Sequence, residues 1–92
     1  MAQQRYWPTG VTVLKTELEA GLTFSHLALT SKNRNTKARN TANAQKAYDT
    51  AQAWAAKIQL SPTDSEEISA NFERLAVALA QVAEDVSAHK CL

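Results

Sequence analysis

Apolar residues recur along most of this chain at steps of three and four, the spacing that lines one side of a helix. In the first segment the recurrence runs through Val11, Leu14, Leu18, Leu22, Ser25 and Leu29. Around Leu22 to Leu29 a second face fills with Phe24, Leu27 and Ala28, so this stretch is expected to be the most buried part of the first helix. Gly21 interrupts the stripe at a cost of about 1 kcal/mol relative to alanine. A glycine there either admits a close neighbour or marks a bend. The second stripe reads Ala44, Ala47, Tyr48, Ala51, Trp54, Ala55 and Ile58, a wide amphipathic face built mostly of alanine. The third reads Ile68, Phe72, Leu75, Leu79, Val82 and Val86, alternating steps of four and three without a miss. That seam is too short for an extended coiled coil and suits packing in a bundle.

The breaks between stripes carry turn chemistry. Ser31, Asn33 and Asn35 compete for backbone hydrogen bonds, so the first turn is expected between Thr30 and Thr36, with Asn35 or Thr36 capping the second helix. On this reading Lys32 and Arg34 sit at the C-terminal end of the first helix, where the helix dipole favours cations. Ser61, Pro62 and Asp64 form a helix start: serine as cap, proline at the first helical position, an acid in the first turn. Thr63 with Glu66 is an overlapping capping box. The expected elements are an arm of residues 1–8, with Thr9 able to cap the first helix, then helices over about 10–32, 36–60 and 62–88. Short connections make sequential helices antiparallel, so the expected fold is an all-α, three-helix, up-down-up bundle forming a single domain.

Composition sharpens this picture. Of 92 residues 41 are hydrophobic, but 17 of those are alanine, which leaves 24 larger apolar groups for one small core. Two glycines and two prolines are too few for a turn-rich β fold. The alanines concentrate in the second and third helices, which predicts that these two form a close pair while Leu14 to Leu29 supply the bulk. No apolar run approaches the length needed to cross a bilayer, and no apolar leader follows Met1. The only cysteine, Cys91, has no second one to pair with, and a cytoplasmic location is expected.

Ten basic and nine acidic residues nearly cancel, but their distribution is uneven. Between residues 32 and 46 there are five basic residues and no acid; between 64 and 85 there are six acids and one base. Lys37 and Arg39 fall at the start of the second helix, where the dipole disfavours cations, so something must compensate them. Up-down-up packing brings that helix start beside the end of the third, where Lys37, Arg39 or Lys46 can meet Glu84 and Asp85. The alternative is an anionic partner held by Lys32, Arg34, Lys37 and Arg39.

No chemistry-bearing motif accompanies this scaffold. A glycine-rich phosphate loop and a nucleophile elbow are both absent, and no cofactor is expected. His26 sits among Phe24, Leu27 and Ala28, the surroundings of a core or boundary histidine. Asp85, His89 and Cys91 hold a metal only with help from further ligands. The chain is therefore expected not to be an enzyme.

The succession Ala44, Tyr48, Ala51 resembles the second helix of a tetratricopeptide hairpin, and is similar to the second helix of three-helix microtubule-interacting-and-trafficking domains. The proline that closes the repeat would fall at Ala56, whereas Pro62 comes six residues later, and no second copy follows at a period near 34 residues, so a stacked solenoid is not expected. What the resemblance implies is binding of a peptide or protein between helices.

The sequence thus leads to a small, non-catalytic interaction or scaffold module that self-associates, a homodimer being the simplest form, because a thin core gains by burying further surface. Candidate partner-binding residues are Tyr6, Trp7, Lys32, Arg34, Lys37 and Arg39, with Val77 and Ala80 as exposed apolar groups. The alternative is an anion or nucleic-acid binder using the basic segment 32–46, although only Tyr48 follows it as an aromatic for stacking. Neither a membrane nor a small-molecule substrate is indicated.

Overall fold

The computed structural model describes the backbone of residues 5–6 and 8–90 and the side chains of residues 8–85. Three helices follow one another: α1 (Pro8–Thr30), α2 (Arg34–Ala55) and α3 (Pro62–Lys90). They pack against each other as the expected all-α bundle. Its long axis measures 49 Å against 21 and 20 Å across, close to the length that the 29 residues of α3 alone require.

Each boundary departs from its expected position for a local reason. Helix α1 starts at Pro8 rather than after a Thr9 cap, since a proline at the first helical position has no amide to leave unpaired. It ends at Thr30, two residues early. Ser31 Oγ accepts from the Asn33 amide at 3.2 Å, and Asn33 Oδ1 caps α2 by accepting from the Thr36 amide at 3.0 Å. The cap is thus Asn33, not Asn35 or Thr36, and Arg34 opens α2 instead of closing α1. No basic residue lies in the last turn of α1.

Helix α2 stops at Ala55, five residues short of the expected 60. The Lys57 amide donates to the Trp54 carbonyl at 2.9 Å, tightening the last turn. The chain then extends, and two short strands, β1 (Arg5–Tyr6) and β2 (Ile58–Gln59), pair in parallel with Arg5 opposite Ile58 and Tyr6 opposite Gln59. Ile58 reaches the core from a strand rather than from the helical stripe, and is 2% exposed. Part of the arm is thereby fixed beside the end of α2. Helix α3 begins as its sequence predicts, with Ser61 Oγ accepting from the Asp64 amide at 3.1 Å.

The central element is α1. It packs extensively on α2 and on α3, whereas α2 and α3 meet far less. This corrects the expected close pair of alanine-rich helices: the small residues Ala44, Ala47 and Ala51 are buried, and the close pair is α1 with α2. The main core lies in the first half of α1, where Val11, Leu14 and Leu18 meet Ala51, Ile58, Ile68 and Leu75. Beyond Gly21 the buried positions of α1 are Ser25 and Ala28, while Leu27 is 44% exposed. The stretch from Leu22 to Leu29 is therefore not the most buried part. Small groups there let α2 come close, and Leu22, Phe24 and Leu29 remain only partly covered. His26, expected in the core or at its boundary, is exposed. On α3 the buried residues are Ile68, Leu75 and Val82, with Phe72 and Leu79 partly covered; the side chain of Val86 lies outside the described residues.

Candidate interaction surface

The basic segment divides into one engaged cation and several exposed ones. Lys37, on the second turn of α2, donates to Asp85 near the end of α3; its side chain keeps 12% of its exposure and that of Asp85 33%. Antiparallel α2 and α3 bring these charges together, and the acid compensates a lysine that the α2 dipole disfavours. The expected approach to the end of α3 thus holds for Lys37. Arg39, Lys46 and Glu84 are exposed and make no ion pair among the described residues. Lys32 in the turn and Arg34 at the start of α2 are also exposed, and the first turn of α2 contains no acid.

A second ion cluster ties the parallel helices α1 and α3. Lys15 Nζ lies 3.0 Å from Asp64 Oδ1 and 3.1 Å from Glu67 Oε2. The hydrogen bond from Lys15, with a further one from Ser61, holds the Asp64 carboxyl below its usual range. Asp64 and then Glu67 raise Lys15 above the ordinary lysine value. These contacts belong to the frame of the bundle, and the acids also face the positive end of α3.

Sequence reasoning put Val77 and Ala80 among the exposed apolar groups, and both are exposed on α3, Val77 by 53%. Around Val77 lie Ala70, Glu73 and Arg74, lining a shallow depression of about 380 Å³. A second depression, of about 360 Å³, runs along α1 and α2 and is lined by Glu17, Phe24, Asn43, Lys46, Ala47 and Thr50. The sequence reading missed Ala70, Glu73 and Arg74. The signal available for them was that the outer positions of α3 repeat at steps of four and three, as the seam does.

Of the other candidates, the side chain of Tyr6 and all of Trp7 lie outside the described residues, as do Cys91 and the side chain of His89. Among the described residues no three of His, Cys, Asp or Glu are grouped to hold a metal ion, and no helix is long and apolar enough to cross a membrane. Tyr48, the aromatic that follows the basic segment, is engaged in the bundle: its ring meets that of Phe72 edge to face, centroids 5.6 Å apart. Comparison with family models, with characterised proteins and with solved structures found no match to this chain.

Proposed function

We propose that this chain is a non-catalytic helical module that acts by binding protein, with a second copy of itself as the partner. One observation carries the reading: Val77 stands 53% exposed, with Ala70 and Ala80 beside it, on the side of α3 opposite its buried seam. A large apolar group so placed gains by being covered, and single exposed hydrophobics acquire meaning when they join a larger patch. The resemblance of the succession Ala44, Tyr48, Ala51 to a tetratricopeptide helix supports the same class of function, since what it implies is binding of a peptide or protein between helices. A cytoplasmic setting fits a chain whose single cysteine has no second one to pair with. Sedimentation equilibrium of the full chain tests the reading. A mass that rises with concentration supports it, and a clean monomer at high micromolar concentration removes self-association.

A second reading, binding of an anion, is favoured by the exposure of Lys32, Arg34 and Arg39 around an α2 start that contains no acid. Lys37 leaves the expected set because Asp85 occupies it. Binding of a labelled single-stranded oligonucleotide should then weaken steeply with added salt, since each neutralised phosphate releases counterions. Equal binding by the Arg34→Glu, Arg39→Glu variant eliminates this reading.

A further inference from the structure

The exposed side of α2 carries Arg39, Ala42, Lys46, Asp49 and Ala53, at steps of three and four, all exposed. The exposed side of α3 carries Glu66, Ala70, Glu73, Val77, Ala80 and Glu84, again at steps of four and three, all exposed. One stripe is basic at the positions where the other is acidic. Both helices turn their buried sides to α1 and touch each other little, so the two stripes belong to different faces of the bundle.

We propose that the outer face of α2 in one copy docks, in parallel, on the outer face of α3 in a second copy, joining subunits head to tail. This rests on the reading of the chain as a self-associating module. Arg39 and Lys46 are seven residues apart, as are Glu66 and Glu73, so both pairs span the same rise of about 10.5 Å. With Arg39 opposite Glu66, Lys46 falls opposite Glu73 and Ala53 opposite Ala80, and Ala42 comes within one residue of Ala70. The alanines permit a close helix approach between the charge pairs. Asp49 falls within one residue of Val77, and its carboxylate already accepts from Gln45 on its own helix at 3.1 Å. Antiparallel docking with Arg39 on Glu73 and Lys46 on Glu66 keeps both charge pairs but carries Asp49 to Thr63 and Ala53 past the start of α3, so that Val77 and Ala80 stay uncovered. Pairing α3 with α3 gathers the glutamates Glu66, Glu73 and Glu84 of both copies with only Arg74 to offset them, and pairing α2 with α2 antiparallel sets each Lys46 on the other copy's Asp49 but leaves Arg39 without an acid and Val77 uncovered. The unlike faces of α2 and α3 thus neutralise more charge on each other than either face does on its own copy. A contact between unlike patches is heterologous, and it propagates unless its rotation closes a ring.

The test is sedimentation equilibrium of the full chain from about 10 µM to about 1 mM, at low and high salt. One variant combines Arg39→Glu with Lys46→Glu, and the other Glu66→Lys with Glu73→Lys. The unmodified chain should associate at low salt, with an association constant at least about tenfold lower at high salt. Each variant alone should associate at least about tenfold more weakly, and an equimolar mixture should regain association, because each altered face then meets its complement. Circular dichroism confirms folding. Should a charge reversal unfold the chain, the glutamine variants at the same positions replace it, and their association should no longer respond to salt. An unmodified chain that associates while the variants match it, or a mixture that stays dissociated, overturns the docking but leaves self-association standing. An unmodified chain that remains monomeric throughout overturns both.

Discussion

Leu75 fills the space that a side chain at Gly21 would need. A Cβ built on Gly21 lies 2.6 Å from Leu75 Cδ2 and 3.2 Å from Leu75 Cδ1, with Ala47 Cβ at 3.3 Å. The three helices meet here, one contributing a missing side chain, one a methyl group and one a fully buried leucine. The glycine is thus a close-approach position, not a bend. Gly21→Ala gains about 1 kcal/mol of helix propensity but overpacks a site where such insertions cost about 1 to 3 kcal/mol. The expected net is a loss of about 1 kcal/mol in urea unfolding. In a Leu75→Ala background the same change should become stabilising, and a loss of equal size in both backgrounds would contradict the crowding.

Ser25 is fully buried, and its hydroxyl has no hydrogen-bond partner among the described residues. An unpaired buried hydroxyl costs free energy that an apolar group of similar size does not. Ser25→Ala should therefore raise stability by about 1 kcal/mol, seen as a higher urea midpoint at an unchanged slope. Destabilisation would show that the hydroxyl has a partner in solution.

The contact between Lys37 and Asp85 joins the start of α2 to the end of α3, helices that otherwise touch little. A double-mutant cycle with Lys37→Ala and Asp85→Ala should give a coupling of about 0.5 to 1 kcal/mol, diminished by salt. A coupling indistinguishable from zero at low salt would mean that the pair does not hold these ends together.

Acid should weaken the link between α1 and α3 in a defined direction. The folded state holds Asp64 below its usual value, mainly through Lys15, so between the folded value and about 3.9 the unfolded chain binds more protons. The stabilisation is present above that range and is lost as pH falls through it. In Asp64→Asn this part of the pH dependence should vanish. Urea midpoints measured from about pH 2 to pH 6 compare the two proteins, and identical slopes would refute the assignment.

The helical class, the seam Ile68, Leu75, Val82 and the start of α3 at Ser61 and Pro62 were legible in the sequence, because each depends on spacing or chemistry within a few residues. The basic run and the acidic run were equally plain, and antiparallel order was enough to bring Lys37 toward Asp85. Local rules alone left the first cap two or three residues out of place, since Ser31, Asn33, Asn35 and Thr36 all have capping chemistry and only the observed hydrogen bonds choose Asn33.

Which helices lie close is a different kind of fact. Alanine content favoured α2 with α3, yet a small residue permits close packing without naming its neighbour, and Gly21 with Ala47 and Leu75 made α1 the common partner. Ile58 fits the α2 stripe by spacing; only its pairing opposite Arg5, more than fifty residues away, made it a strand. The sequence by itself determined helix, stripe and charge, properties of short stretches of chain. Tertiary structure alone decided which of those charges were neutralised and which faces stayed open, because burial depends on groups that are distant in sequence.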